Sequence, residues 1–224
     1  PSYAQGSVSG TIAEKPTGYL STLTDIEKEW LAAHQEITVR VMSSWPPLNF
    51  LNTEGKPVGI GVDFLNRLKD RIGLKIDVET GDLTANLEAV KNREVDALMD
   101  VTPKPDRQEY LHFTQPYLSV PHVIIAQNTG SYYLNEGALR GKALALESGF
   151  GNIAYFKSNY PEVQVVEYPD TESCLKAVSK GDVDAYAGNR AVASYIIAQQ
   201  VFQNLQIQGT LSKAGSIVSI GVRK

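Results

Sequence analysis

One stretch of eleven residues occurs twice in this chain, and the repetition constrains the fold more than any other feature of the sequence. Leu87–Ala97, LEAVKNREVDA, is matched by Leu175–Ala185, LKAVSKGDVDA, with identical Leu, Ala, Val, Val, Asp and Ala at equivalent positions. Each copy has the pattern of an amphipathic helix that ends at a turn and leads into a buried strand. The repeat therefore predicts two halves of similar structure, although helix–turn–strand units also resemble one another by chance.

Short β-rich runs alternate with helical patterns around both copies of the repeat. In the first half the predicted strands and helices are Ile37–Met42 (strand), Val62–Ile72 (helix), Leu74–Val78 (strand), Leu83–Asn92 (helix) and Val95–Val101 (strand). In the second half they are Ala143–Glu147 (strand), Asn152–Asn159 (helix), Val163–Tyr168 (strand), Thr171–Lys180 (helix) and Val183–Ala187 (strand). Such alternation is typical of βαβ units, so the predicted fold class is α/β, with a mostly parallel sheet flanked by helices in each half.

The start of the chain does not show this alternation. Residues 1–22 mix Ser, Thr, Gly and Pro without apolar periodicity, and we interpret them as a leader or linker. Thr24 followed by Glu27 is a capping-box pattern, which predicts a helix that ends near His34.

Two later segments are predicted to cross between the halves. Phe113–Ala126 is an extended pattern with two prolines, and Ser216–Val222 has the pattern of a returning strand. We therefore assign residues 23–118 and 216–224 to a first lobe, and residues 119–215 to the hinge and a second lobe. In sheets of this type ligands bind outside the carboxyl ends of the strands, so the two lobes are expected to share one cleft.

Composition excludes several classes of function. The chain has 21 Lys and Arg against 25 Asp and Glu, and its positive residues are scattered, so nucleic acid is not an expected partner. Cys174 is the only cysteine, which excludes an internal disulfide and the paired cysteines of a zinc or thioredoxin-like site. No run approaches the roughly 18 to 20 apolar residues of a membrane span, and we interpret the chain as a piece processed or excised from a membrane-bound protein.

Motifs for catalysis and cofactor binding are absent from the sequence. There is no G-x-S-x-G elbow, no H-E-x-x-H helix and no Walker-type loop, and His34, His112 and His122 form no set with ligand spacing. We expect no metal and no cofactor.

Four motifs are specific in combination, although each is weak alone: Trp45-Pro46-Pro47, Gly59 with Asp63, Thr102–Arg107 and Phe113–Tyr117. Together they resemble the family-3 bacterial solute-binding proteins of the polar amino-acid-binding type. Three stretches resemble, within that family, the periplasmic sensor domains of hybrid histidine kinases of the virulence-sensor type: Leu23–His34, Arg107–Tyr117 and Gly188–Tyr195.

The resemblance implies a two-lobed periplasmic-binding-protein fold, also called a Venus flytrap, with a hinge of crossing strands. It implies a sensor domain that binds a small molecule outside the cytoplasm and belongs to an inner-membrane histidine kinase in the same polypeptide. Any homodimer is expected to form through the full-length receptor. The first alternative is a free periplasmic binding protein of an ABC transporter for amino acids or organic acids. A second is a cyclohexadienyl dehydratase-like enzyme, in which Asp100 or Glu147 would act as general acid.

On the first lobe, Arg107 is the strongest candidate for ligand binding. The resemblance places a carboxylate clamp here, and a guanidinium holds a carboxylate through two parallel hydrogen bonds. The Thr102 hydroxyl is expected to donate a hydrogen bond to the same ligand carboxylate, and Trp45 is expected to form an aromatic wall of the cleft. Asp100 and Tyr117 are also expected to line the site. One alternative is that Arg107 is a structural residue, exposed or paired with an acid such as Asp100. Another is that Trp45 is a core residue.

On the second lobe, Ser148, Phe150 and Gly151 form the loop where the resemblance places a Gly-Ser/Thr-Thr motif, at a predicted helix start that suits an anion. Asn189 stands where amino-acid-binding members commonly have an aspartate for the ligand's ammonium group. An uncharged amide does not provide that ion pair. We therefore expect a small organic acid or another polar metabolite rather than an ordinary α-amino acid, with a cleft that needs no ligand as a further alternative.

Overall fold

The computed structural model describes residues 22–34 and 36–224. The predicted leader or linker at residues 1–22 lies outside the described residues apart from Thr22. The predicted capping box is confirmed at the first helix, α1 (Asp25–Ala33), because the Thr24 hydroxyl accepts from the Glu27 N–H at 3.3 Å and the Glu27 carboxylate accepts from the Thr24 N–H at 2.7 Å.

The first lobe continues with strands, helices and short connections in alternation. Its elements are β1 (Glu36–Met42), β2 (Ser44–Trp45), β3 (Asn49–Leu51), β4 (Pro57–Val58), α2 (Ile60–Ile72), β5 (Lys75–Gly81), α3 (Leu83–Lys91), β6 (Ala97–Val101), α4 (Pro105–Gln108), β7 (Leu111–Phe113) and β8 (Leu118–Val120). The last strand of the chain, β14 (Ser216–Arg223), returns to this lobe. The strand order of its main sheet is β5-β1-β6-β14-β7, with β8 also paired to β14.

The second lobe repeats this plan after the chain crosses over at Pro121. Its elements are β9 (His122–Gln127), a 3-10 helix (Glu136–Leu139), β10 (Ala143–Glu147), α5 (Gly151–Asn159), β11 (Gln164–Tyr168), α6 (Thr171–Lys180), β12 (Ala185–Asn189), α7 (Arg190–Gln200) and β13 (Leu205–Thr210). The strand order is β11-β10-β12-β9-β13. Each lobe has three parallel strands, which we call the first, second and third in chain order: β1, β5 and β6 in the first lobe, and β10, β11 and β12 in the second. The strand that comes from the other lobe, β14 or β9, pairs antiparallel with the third.

The sequence repeat corresponds to the same structural unit in both lobes. Each copy forms a helix that leads into the third strand, α3 into β6 and α6 into β12, and both third strands are buried along their whole length. The repeated aspartates also have equivalent roles, since Asp96 accepts from the Thr38 N–H at 2.9 Å and Asp184 accepts from the Ala143 N–H at 2.9 Å. Each aspartate thus joins the turn before the third strand to the beginning of the first strand.

Several elements were not predicted from the sequence, including the short helix α4 and the 3-10 helix Glu136–Leu139. The strands β2, β3 and β4 form a small separate sheet, but with two or three residues each they are too short to show a period of two. The helix α7 and the strand β13 follow the repeat, and the Val, Ala and Ile residues of α7 are equally compatible with a strand.

The described part of the chain shows neither a membrane span nor a metal cluster. None of its helices combines the length and the apolar character needed to cross a bilayer. Within residues 22–34 and 36–224, no three His, Cys, Asp or Glu side chains are grouped so that they could hold a metal ion.

Candidate ligand-binding site

Two adjoining cavities lie between the lobes, at the carboxyl ends of the parallel strands. The first, which we call the cation-lined cavity, has a volume of about 140 Å³, and its charged lining residues are Asp100, Lys104, Arg107 and Lys213. The second, the acid-lined cavity, has a volume of about 330 Å³, and its charged lining residues are Asp82, Glu147, Glu167 and Asp170. Four apolar side chains line both cavities and lie between them: Met42, Trp45, Leu83 and Phe150.

Aromatic contacts hold the lobes together across the cleft. The rings of Trp45 from the first lobe and Phe150 from the second meet edge to face, with centroids 5.9 Å apart. The ring of Phe50 similarly lies 6.0 Å from that of Tyr195 on α7. The two lobes are thus in contact through at least two aromatic pairs. Trp45 is buried, and its indole N–H has no hydrogen-bond partner.

Arg107 lies in the short helix α4 and lines the cation-lined cavity. Only 4% of its surface is exposed, Nη1 donates to the Thr102 carbonyl at 3.1 Å, and Nε has no partner. Burial lowers the pKa of Arg107. A buried guanidinium with an unpartnered donor is costly, and an anion with two acceptor oxygens is the kind of group that would satisfy it.

Asp100 does not neutralise Arg107, contrary to the alternative considered from the sequence. Its carboxylate accepts hydrogen bonds from the Tyr117 hydroxyl and from the Asn49 amide. Its backbone is left-handed, with φ of 55°, and a β-carbon on Gly61 in α2 would lie 2.8 Å from the carboxylate oxygen Oδ2. Burial raises the pKa of Asp100 to about 6, while the bonds from Tyr117 and Asn49 oppose that rise.

Replacing Asp100 with asparagine is expected to stabilise the protein at pH 8 and to have less effect at pH 4. Because the folded pKa of about 6 lies above the ordinary value of 3.8, Asp100 contributes stability below pH 3.8 and loses it as the pH rises through 6. The shift corresponds to at most about 3 kcal/mol. The side-chain oxygen of Asn49, Oδ1, has no partner. If the Asn49 amide flips, this oxygen can accept a hydrogen bond from the new asparagine, so we expect the free energy of unfolding to rise by about 1 kcal/mol at pH 8.

Urea unfolding at pH 4.5 and pH 8 measures this difference. The exposed Asp70 on α2 provides the control. Asp70→Asn should change the free energy of unfolding only slightly, and by the same amount at both pH values. A loss of stability in Asp100→Asn that is larger at pH 8 would contradict the burial argument.

Two lysines contribute to the positive charge of the cation-lined cavity, and sequence analysis missed them. Lys104 belongs to the first lobe and reaches the beginning of α5 in the second, where a β-carbon on Gly151 would lie 2.9 Å from its Nζ. Lys213 donates to the side-chain oxygen of Asn152, Oδ1, at 2.6 Å, and its Nζ lies 5.3 Å from the Tyr155 ring centre. Burial lowers the pKa of both lysines. Only Lys104 gave a signal in the sequence, because it lies within the motif Thr102–Arg107.

His122 connects the second lobe to the returning strand β14. Its Nδ1 lies 3.0 Å from the Asn152 carbonyl oxygen and its Nε2 lies 2.7 Å from the Ser216 hydroxyl. Burial, reinforced by the charge of Lys213, lowers the pKa of His122 to about 4. The imidazole is therefore neutral at pH 7, and it adds no positive charge to the cavity it lines.

The acidic groups of the second cavity already have partners. Asp82 and Asp170 cap α3 and α6 by accepting from the N–H groups of Ala85 and Ser173. The buried Glu147 accepts from Thr171 and Tyr186, and burial raises its pKa. Both of the hydrogen bonds to Glu147 go to Oε1, and the other oxygen, Oε2, is buried without a partner, so this cavity keeps one unsatisfied acceptor.

The remaining predicted site residues divide between the cavities and the protein interior. Thr102 and Gly151 line the cation-lined cavity, and Ser148 lines the acid-lined one. Tyr117 lines neither cavity. Its hydroxyl donates to Asp100, and its half-buried ring stacks on the exposed ring of Phe64.

Asn189 is also outside both cavity linings, although it is 3% exposed and lies at the end of β12. Its side-chain oxygen, Oδ1, caps α7 by accepting from the N–H groups of Ala191 and Val192, at 3.0 and 3.2 Å. Its amide nitrogen has no partner. The structure therefore gives Asn189 a capping role and leaves one free donor.

Comparison with known proteins agrees with this architecture. The model of a protein family described as bacterial extracellular solute-binding proteins, family 3, matches residues 37–213. The virulence sensor protein BvgS of Bordetella pertussis is 25% identical over 186 residues, which are 83% of this chain and 15% of the relative. The ABC transporter arginine-binding protein 1 of Escherichia coli is 25% identical over 166 residues, which are 73% of this chain and 67% of the relative.

A solved structure of similar fold is that of a histidine kinase sensor domain with similarity to periplasmic binding proteins. It superimposes with a TM-score of 0.80 at 24% identity, over 85% of this chain and 83% of that chain. These relatives are solute-binding and sensor domains, not enzymes. The chain spans only about one seventh of the length of the BvgS relative, so that protein includes much that this chain does not.

Proposed function

The chain belongs to the bacterial extracellular solute-binding proteins of family 3, and on that premise we propose that it is the sensor domain of a membrane-anchored histidine kinase whose ligand is a small organic anion. Periplasmic ligand binding is common to its sensor and transport relatives. The ligand and the signalling role are the parts that we propose here.

One observation supports the anionic ligand most strongly. Arg107 is almost wholly buried at a cleft between two lobes, and one of its donors is unpartnered. None of the ion pairs within residues 22–34 and 36–224 includes Arg107, and Asp106 attracts it only from beyond 4 Å. A buried cation without a counterion is unfavourable unless a ligand supplies the negative charge. A carboxylate bound to Arg107 would satisfy the free donors and neutralise the guanidinium.

The surroundings argue against an ordinary α-amino acid as the ligand. An amino acid also needs a carboxylate or several carbonyl groups for its ammonium group. Asn189 offers only an amide whose oxygen is occupied by two backbone N–H groups, and Asp100 is occupied by Tyr117 and Asn49. The unpartnered Oε2 of Glu147 belongs to the acid-lined cavity and not to the cavity that contains Arg107. An ammonium group would also be repelled by Lys104 and Lys213 in the same cavity.

Signalling is proposed to depend on closure of the lobes over the ligand. Trp45 and Phe150 contact each other only when the lobes are close, and Lys104 reaches from one lobe to the other. A ligand that bridges the lobes would favour this arrangement over an open one. The chain crosses between the lobes near Pro121 and again before β14, which leads toward Lys224. Motion of the lobes would thus be transmitted to whatever follows.

The sensor role is favoured over transport by the likeness to BvgS, which includes more of this chain than the arginine-binding protein does. The alternative role, as a free binding protein for an ABC transporter, is supported by that second relative. The full gene product distinguishes them. A membrane span and a kinase core after this domain would support the sensor, and an independent secreted chain encoded beside permease components would support transport.

A binding screen tests the proposed ligand class. Thermal-shift measurements followed by calorimetry should detect stabilisation by small carboxylates such as acetate, propionate, malonate and succinate. L-Arginine and L-glutamine should produce no shift at equal concentrations. An L-amino acid that binds at micromolar concentration, while no simple carboxylate binds, would overturn the proposal.

A further inference from the structure

The cation-lined cavity holds more positive charge than one carboxylate neutralises. Its lining includes three cations, Lys104, Arg107 and Lys213, and one acid, Asp100, which is a net charge of 3 − 1 = +2. His122 adds no charge, because its pKa of about 4 keeps the ring neutral at pH 7. A single carboxylate on Arg107 would therefore leave one unit of positive charge uncompensated in a largely buried space.

The two lysines have no close counterion in the protein. No carboxylate lies within 4 Å of the Nζ of either, because every ion pair found in the described residues involves other lysines and arginines. Asp106 attracts Lys104 and Glu136 attracts Lys213, but only from a greater distance. Glu136 is moreover occupied by Ser212.

The position of Lys104 is electrostatically unfavourable without a ligand. Its ammonium group reaches the first residue of the nine-residue helix α5, at Gly151. The first N–H groups of a helix have no intrahelical partner, and their partial positive charge repels a cation. Lys213 is close enough to repel Lys104 as well. An anion placed between the lysines and the helix start would turn these repulsions into attractions.

We propose that the ligand carries two anionic groups, one bound by Arg107 and the other by Lys104, Lys213 and the start of α5. This inference rests on the proposed function, in which a carboxylate binds Arg107, and it narrows the ligand to short dicarboxylates. Lys104 comes from the first lobe, whereas Lys213 and α5 belong to the second. The second anionic group would therefore bridge the lobes, and the two lysines would decide between singly and doubly charged ligands.

The size of the cavity is consistent with a short chain. About 140 Å³ accommodates a ligand of the size of malonate or succinate, and Trp45 with Phe150 closes the side toward the acid-lined cavity. Longer diacids would have to displace this aromatic pair. We therefore expect affinity to be greatest for the diacids of three or four carbons.

Calorimetry with matched pairs of ligands tests this inference. Malonate and succinate are compared with the monocarboxylates propionate and butyrate, which have the same numbers of carbons. In the unmodified protein the diacids should bind at least tenfold more tightly. Lys104→Gln and Lys213→Gln should each weaken succinate binding about tenfold and change butyrate binding less than twofold, while the exposed Lys69→Gln on α2 should change neither.

The outcomes separate this inference from the proposed function. Equal affinity for succinate and butyrate, or equal losses for both in the lysine variants, would overturn the dianion and leave the carboxylate site at Arg107 intact. Failure of every carboxylate to bind would overturn both. A lysine variant that does not fold, as judged by its thermal transition, is replaced by Lys→Met at the same position, which keeps the aliphatic stem.

Discussion

Replacing Arg107 with methionine is expected to weaken carboxylate binding by about 100-fold or more, and to leave the ligand-free protein as stable as before or more so. Two charge-assisted hydrogen bonds of about 1.5 to 3 kcal/mol each are lost from the complex. The ligand-free protein loses only the bond from Nη1 to the Thr102 carbonyl and is relieved of a buried charge without a counterion. Calorimetry with succinate and thermal unfolding without ligand measure the two effects.

Arg107→Lys separates charge from geometry. Lysine keeps the positive charge but not the planar fork, so we expect an intermediate loss of about tenfold. The exposed Arg67 on α2 supplies the control, and Arg67→Met should change neither binding nor stability. If Arg107→Met unfolded the protein while Arg107→Lys bound succinate normally, the side chain would be a structural arginine, which is the alternative interpretation of the sequence.

Replacing Gly188 with alanine is expected to cost about 4 kcal/mol or to prevent folding. A β-carbon at this position would lie 1.9 Å from the Tyr186 hydroxyl oxygen and 2.4 Å from the ring carbon that bears it. Tyr186 is fully buried and its hydroxyl donates to Glu147 at 2.7 Å, so the ring has no space in which to move. Overpacking and the loss of a buried hydrogen bond therefore add together.

Urea unfolding, or the yield of folded protein, measures this loss. The matched control is the exposed Gly137→Ala, whose β-carbon would meet only the Asn135 side chain, at 3.2 Å, and which should cost less than about 1 kcal/mol. The second-site change Tyr186→Leu should recover part of the stability of Gly188→Ala, because it removes the ring that causes the clash. A Gly188→Ala protein of normal stability would contradict the packing of β12 described above.

The repeat allowed the two-lobed fold to be predicted, because it encodes a local unit. The pattern Leu-x-Ala-Val followed by Val-Asp-Ala specifies an amphipathic helix, a turn and a buried strand, and each of these depends on residues close in the chain. The two copies form α3 with β6 and α6 with β12. The small sheet β2–β4 and the helix α7 were missed because neither has a period or composition that decides between helix and strand.

The candidate site was only partly predictable. Arg107, Thr102, Trp45 and Phe150 were expected at the cleft, and the structure places all of them in the cavity linings. Tyr117 and Asn189 have instead internal roles, as a donor to Asp100 and as the cap of α7. Their residue types suit both roles equally, so the sequence offered no means of choosing.

The sequence by itself determined the alternation of strands and helices, the pairing of the halves and the guanidinium at position 107, because these follow from local pattern and motif. Only the tertiary structure decided the charge of the cavity. Lys104 and Lys213 are 109 positions apart and meet because the lobes are opposed, while the Asp100 carboxylate is bound by Tyr117 and Asn49 and not by Arg107. Electrostatic interaction depends on distance in space, and distance along the chain does not reveal it.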